Sequence, residues 1–252
     1  MWHRQDDARN RNVSTRSREH NHLLAALSEE EFAPLEPWVE LIDLPRGDVL
    51  ARPGEPIEYA YFPTSGMISV VALMSQGLGA EVATVGNEGM IGLPIFLGAG
   101  ISPFHLMAQL SGQSVRVPAQ RIEPLLLPEA RLTSLLRTYS QAFFVQTAQN
   151  AACNGIHPIS MRAARWLLAT HDRAGSDVFY LTQEFLAFML GVARQSVGIA
   201  VGELADQGLI SYVRGQMHVL DRPGLERASC ECYRVVGAHF ARLLGQIAPC
   251  AD

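Results

Sequence analysis

Residues 129–154 contain neither glycine nor proline, although those two residue types interrupt the chain at short intervals from residue 34 to residue 128. An uninterrupted run of that length permits a helix of about seven turns. Along it, Leu132, Leu136, Tyr139, Phe143, Gln146, Asn150 and Cys153 recur in alternating steps of four and three, the spacing of a coiled-coil seam. A second apolar strip, Leu135, Ala142 and Val145, lies beside the first. One strip can pack on the chain's own N-terminal half while the other meets a partner helix. The first is the expected seam of a parallel homodimer, with Leu132, Leu136, Tyr139, Phe143, Gln146 and Asn150 facing the partner. Burial of the whole helix within one subunit is the alternative, and the polar Gln146 and Asn150 leave it open.

Before this helix the texture differs. Between residues 41 and 118, short apolar or alternating runs are separated by turn signals such as Pro45-Arg46-Gly47-Asp48, Pro53-Gly54-Glu55-Pro56, Ser65-Gly66 and Gly86-Asn87-Glu88-Gly89. Regular turns between short strands indicate an all-β roll or barrel. Ahead of the roll, Ser28 and Glu31 are spaced as a capping box in a region of short helices. Residues 1–22 are polar and charge-mixed, the composition of a disordered tail. The expected domains are therefore a tail at 1–22, a β-roll at 23–128, the long helix at 129–155 and a C-terminal domain at 156–252.

Composition narrows the class. No apolar run approaches the ~20 residues of a membrane-spanning helix, and the N-terminus has no apolar core of a secretory signal, so a cytoplasmic location with no membrane partner is expected. The four cysteines, Cys153, Cys230, Cys232 and Cys250, have neither a disulfide framework nor C-x-x-C spacing, so reduced thiols and no metal are expected. Cys230-Glu231-Cys232 is nevertheless a close pair that redox or metal chemistry can use. The net charge is −5 and all twenty basic residues are arginines. Any nucleic-acid binding must then rest on locally concentrated charge, because counterion release depends on individual phosphate contacts.

The segment from Gln183 to Ala200 has the constraints of a helix-turn-helix. Ala187 is small where two helices would cross, Gly191 suits a positive-φ turn, and Leu186, Leu190, Val192 and Val197 supply an apolar knot. The second helix would present Ala193, Arg194, Gln195 and Ile199 from its N-terminal end toward base edges. Thr182, Ser196 and Arg214 are candidates for phosphate, with Arg162 or Arg165 as further support from the preceding helix. Runs at 210–213 and 217–220, flanking Arg214-Gly215-Gln216, form a hairpin in the position of a wing. Between residues 177 and 227, however, four arginines face six carboxylates, so weak non-specific affinity is expected.

Order and residues together resemble the Crp/Fnr family. The resemblance is carried by Pro45-Arg46-Gly47-Asp48-Val49-Leu50, Tyr61-Phe62-Pro63-Thr64-Ser65-Gly66, Gly89-Met90-Ile91-Gly92 and, most specifically, the segments Leu181-Thr182-Gln183-Glu184 and Arg194-Gln195-Ser196-Val197-Gly198. It implies an α+β chain: an N-terminal cyclic-nucleotide-binding-like β-roll (jelly roll), a long dimerisation helix and a C-terminal winged helix-turn-helix. It also implies double-stranded DNA with a two-fold symmetric operator, RNA polymerase, a second copy of the chain and a small-molecule effector as partners. Gly89, Ile91, Gly92, Leu93 and His105 are the effector-pocket candidates by position.

The departures are as informative. Family members that bind cyclic nucleotide carry a Gly-Glu pair for the ribose and an Arg followed by Ser or Thr for the phosphate. Here Gly92-Leu93-Pro94 stands at the first place, and no arginine occurs between Arg52 and Arg116. Leucine accepts no hydrogen bond, and a buried phosphate without a cation is costly to desolvate, so cyclic AMP is not expected. The N-terminal cysteine cluster of iron-sulfur members is also missing. Ile199 stands where the resemblance places a second base-reading arginine, so the operator sequence cannot be carried over from the family. An enzyme reading, a cupin-type metal site, needs several converging histidines, and His105 is the only one between residues 41 and 118. A ligand-sensing scaffold that binds protein rather than DNA is the other alternative.

Overall fold

The computed structural model describes residues 18–75 and 77–245. It divides into two compact units, one formed by residues up to 69 together with 85–141, the other by 70–84 together with 142 onward.

The first unit opens with α1 (His22–Ala25) and α2 (Glu29–Phe32). Asn21 caps α1 by accepting from the backbone N–H groups of Leu23 and Leu24, and its amide nitrogen donates to the carbonyls of Pro63 and Gly89 at 2.9 Å each. A fully buried Asn with all these bonds made belongs to the fold, so the polar tail expected through residue 22 stops short of Asn21. Residues 1–17 of that tail lie outside the described residues. Ser28 and Glu31 form the expected capping box on α2.

The roll follows as β1 (Glu40–Leu44), β2 (Val49–Ala51), β3 (Tyr59–Pro63), β4 (Met67–Leu73), β5 (Gly79–Val85), α3 (Leu93–Phe96), β6 (His105–Leu110), β7 (Gly112–Pro118) and α4 (Ala119–Ile122). Three strands form an antiparallel sheet in the order β1–β7–β3, with Ile42 opposite Ser114 and Phe62 opposite Val115. Four others form a sheet in the order β2–β6–β4–β5. Phe62, Val115 and Val117 are fully buried, as the inward positions of a packed roll should be.

The glycine- and proline-free run becomes α5 (Arg131–Ile156). In its first half Leu132, Leu136 and Tyr139 are buried, and the Tyr139 hydroxyl donates to the Met90 carbonyl at 3.0 Å. Gly89 has to be glycine here, because a Cβ would come within 2.4 Å of the Tyr139 ring. Gly89→Ala is expected to destabilise the chain by about 1–3 kcal/mol through overpacking, read as a lower urea midpoint at unchanged slope.

The second unit contains the rest of α5, then α6 (Ile159–Ala174), β8 (Val178–Tyr180), α7 (Gln183–Leu190), α8 (Arg194–Asp206), β9 (Ile210–Val213), β10 (Gln216–Val219), α9 (Arg222–Ala228) and α10 (Cys232–Leu244). Residues of the β4–β5 hairpin are part of it. Gln146 reaches Thr84 at 3.5 Å, Asn150 donates to the Val82 carbonyl at 2.9 Å, and the buried Trp166 indole donates to Glu81 at 2.9 Å.

These contacts correct the expected seam. Leu132, Leu136, Tyr139, Gln146 and Asn150 are buried inside the single chain and Phe143 is half-buried, so this strip does not face a partner. Gln146 and Asn150 are polar because they meet the Thr84 hydroxyl and the Val82 carbonyl. The outward side of α5 is another strip, in which Phe144 is 72% and Ile156 75% exposed with Ala148, Ala151 and Ala152 exposed beside them.

Candidate nucleic-acid interface and effector domain

Helix α7 begins at Thr182, whose hydroxyl oxygen accepts from the Phe185 N–H at 3.1 Å. It ends at Gly191, in the left-handed conformation at φ 63°. That turn sends the chain into α8 with the two helix axes bent by 108°, within the range of a helix-turn-helix. Leu186, Ala187, Leu190 and Val197 are buried as expected, and Val192 is half-buried.

Ala193 is the N-cap of α8 and offers no side-chain cap, and the Ser196 N–H bonds to the Ala193 carbonyl at 3.0 Å, so an outside acceptor would meet the N–H groups of Arg194 and Gln195 ahead of it. Arg194, Gln195 and Ile199 follow on the exposed side, Ile199 at 61%. An exposed isoleucine of that size on a helix that buries Val197, Ala200, Val201 and Leu204 on its other side suits contact with a thymine methyl. Ser196 is half-buried on the same first turn.

The wing is a three-stranded sheet in the order β8–β10–β9, with Met217 opposite both Phe179 and Tyr212. Its two-residue turn, Arg214-Gly215, has φ of 49° and 81°. Two positive values make a type I′ hairpin, which matches strand twist and leaves Arg214 exposed at the tip. Strand β8 is an addition to the sequence expectations. Its signal is the β-branched and aromatic triplet Val178-Phe179-Tyr180 after Gly175-Ser176-Asp177.

Two of the expected phosphate contacts are corrected. Arg162 is buried and donates to the Leu190 carbonyl at the C-terminus of α7, a helix end that attracts cations. Arg165 donates to Asn150 at 2.8 Å. Arg162 is thereby withdrawn into the fold, and Arg165, half-buried, has part of its guanidinium engaged within the chain. Arg222 is likewise occupied, by Asp172, Glu226 and the Tyr233 hydroxyl.

Sequence reasoning missed Glu184, which accepts from Arg194 at 3.1 Å. Both side chains are well exposed, at 65% for Arg194 and 72% for Glu184, so the pair is worth at most about 1 kcal/mol and opens readily. A carboxylate there also repels phosphate. Glu184→Gln is therefore expected to strengthen non-specific DNA binding by up to about fivefold, measured by fluorescence anisotropy at fixed salt.

In the first unit, Ile91 exchanges both backbone hydrogen bonds with Tyr61 and is buried, and Leu93 is buried at the start of α3. Gly92 precedes it in the left-handed region at φ 113°. His105 opens β6, half-buried. Burial, and then the charge of Arg52, push its imidazole below the usual range. Around neutral pH it therefore offers a hydrogen bond rather than a positive charge. The next arginine along the chain, Arg116, is held by Glu40 at 2.7 Å and lies 4.4 Å from the Tyr59 ring centre.

Two domain families match the sequence: the cyclic nucleotide-binding domain at residues 41–128 and the Crp-like helix-turn-helix domain at 161–228. The chain belongs to the Crp/Fnr family of transcription regulators. Solved structures carry the same fold. A Crp/Fnr family transcriptional regulator from Eubacterium rectale has a TM-score of 0.68 at 16% identity, over 83% of this chain and 98% of that one. FixK2 from Bradyrhizobium japonicum has a TM-score of 0.65 at 17% identity, over 76% and 98%. A Crp/Fnr family regulator from Thermus thermophilus has a TM-score of 0.62 at 22% identity, over 75% and 98%. No curated protein sequence matches the chain. Like its family, this Crp/Fnr regulator joins an effector-binding domain to a DNA-binding helix-turn-helix.

Proposed function

We propose that this Crp/Fnr regulator is a sequence-specific DNA-binding homodimer whose affinity for a two-fold symmetric operator is set by a signal at the β-roll. One observation carries the reading: α8 leaves a tight turn at 108° to α7 and opens on the exposed residues Ala193, Arg194 and Gln195. Arg194 reads guanine bidentately, Gln195 an adenine or a neighbouring edge, and Ile199 an apolar methyl. Thr182, Ser196, the wing-tip Arg214 and the N–H groups of α8 take phosphates.

The dimer is formed by the outward strip of α5, around Phe144, Ala148, Ala151 and Ile156, which is apolar and exposed in one copy. The signal acts at the segment containing Gly89, Ile91, Gly92 and Leu93, which is packed against Tyr139 of α5. Because α5 runs unbroken from Arg131 to Ile156, a shift of Tyr139 alters the pairing of two α5 helices. The spacing of the two recognition helices, ~34 Å for adjacent major grooves, changes with it.

The effector is not cyclic AMP held in the family's usual manner. Leu93 is buried where a ribose-gripping carboxylate would stand, His105 is biased to its neutral form, and Arg116 is engaged by Glu40. No iron-sulfur cluster is proposed for the roll, and no enzymatic step is assigned to it. RNA polymerase is the further partner, and the setting is the cytoplasm.

Footprinting of DNA upstream of the regulator's own coding sequence tests this. Symmetric protection of two half-sites about one helical turn apart is expected. A protein that is monomeric in solution, or that binds no upstream fragment in moderate salt with or without cell extract, overturns it.

A further inference from the structure

At the end of α5, Cys153 and His157, one helical turn apart, meet Cys230 and Cys232, which stand on either side of Glu231 at the start of α10. Their ligand atoms all lie within 4.8 Å of one another. Cys153 Sγ is 3.5 Å from Cys230 Sγ, and Cys232 Sγ is 3.5 Å from His157 Nδ1. Bonds of ~2.3 Å to sulfur and ~2.0–2.1 Å to nitrogen place ligands at tetrahedral corners ~3.8 Å (S to S) and ~3.6 Å (S to N) apart. The two measured separations are close to those values. The three sulfurs are buried, and nothing in the reading of the DNA-binding or effector domains uses them.

The surroundings have the character of a metal site. His157 Nε2, the nitrogen facing away from the thiols, is 3.3 Å from a Glu231 carboxylate oxygen, the partner that orients a metal-bound imidazole. Gln149 donates an N–H to Cys232 Sγ at 3.1 Å, as thiolate ligands accept. Three thiolates and a neutral imidazole around a divalent ion leave one net negative charge. The Arg162 and Arg165 guanidiniums interact electrostatically with Cys153 and offset it.

We propose that Cys153, His157, Cys230 and Cys232 bind one zinc ion in a closed tetrahedral site that ties the end of α5 to the start of α10. Soft donors exclude magnesium and calcium, and four protein ligands leave no open position, so the ion is structural. A Cys153–Cys230 disulfide is the competing chemistry. It requires the two sulfurs to approach by about 1.5 Å to reach the ~2.0 Å bond, and it gives His157 and Glu231 no part.

Anaerobic titration of the reduced, metal-free full-length protein with cobalt(II) tests the site. Saturation at one cobalt per chain is expected, with near-ultraviolet thiolate-to-cobalt charge transfer and the intense visible bands of tetrahedral cobalt, both lost on adding zinc. Cys232→Ser should remove part of the charge-transfer intensity. Glu231→Gln, which removes no ligand, should keep the tetrahedral spectrum and lower zinc affinity about 10- to 100-fold. Absence of saturation at one equivalent, or a weak octahedral spectrum without thiolate bands, overturns the proposal. So does a Cys153–Cys230 disulfide in protein purified without reductant that takes up no cobalt once reduced. None of these readouts depends on DNA binding.

Discussion

Arg194→Ala is expected to abolish the specific complex in a mobility-shift assay while leaving the salt-sensitive, non-specific smear. A bidentate arginine–guanine contact discriminates by about 1–3 kcal/mol, roughly 5- to 150-fold in affinity. In the proposed homodimer that contact is made in both half-sites, so the two losses combine. Arg194 stands at the first helical position of α8, exposed, and among the described residues its charged partner is the surface carboxylate of Glu184. Removing it therefore costs the fold little, and unchanged thermal stability alongside lost operator binding is the expected pairing. Arg194→Lys should rescue only partly, because an ammonium lacks the planar fork. Retention of wild-type operator affinity by Arg194→Ala would remove α8 as the reading element.

Phe144→Glu is expected to convert the regulator to a monomer in analytical ultracentrifugation. The ring is 72% exposed in one chain, so it contributes little to folding and much to any helix that covers it. Burying a phenylalanine is worth about 1.5–3 kcal/mol, and a two-fold seam loses two, so dimer dissociation should rise by about 10²- to 10⁴-fold. Two carboxylates across the seam add repulsion, and operator affinity should fall in parallel, since a monomer spans one half-site. Tyr139→Ala makes the contrast: its ring is buried within one chain and its hydroxyl bonded to the Met90 carbonyl, so it should lower stability by about 3–5 kcal/mol. A dimer unaffected by Phe144→Glu would place the seam elsewhere.

The helix-turn-helix was legible because its determinants are local. Gly191 is needed at a left-handed turn, the apolar knot is spaced along two adjacent helices, and Arg194 and Gln195 fall at the first positions of the second helix whatever surrounds them. The strips of α5 were not separable in the same way. Leu132, Tyr139 and Asn150 have a seam's periodicity, but periodicity is identical for a helix packed on its own chain and one packed on a partner. Only the positions of Met90, Thr84 and Val82 decide between them. Arg162 and Arg165 read as surface cations for a related reason. A guanidinium is costly to bury unless an acceptor waits for it, and the acceptors, the Leu190 carbonyl and Asn150, are 28 and 15 residues away in sequence.

By itself the amino-acid sequence determined the succession of roll, long helix, helix-turn-helix and wing, the family, the turn into α8 and the residues at its tip, because helical period, turn chemistry and capping act over a few residues. Tertiary structure alone decided which side of α5 the chain buries and which it leaves exposed, that Asn21 belongs to the core, and that Cys153 and His157 meet Cys230 and Cys232. Each of those depends on chain segments distant in sequence arriving at one point, and burial and charge pairing there are set by all the neighbours together rather than by spacing along the chain.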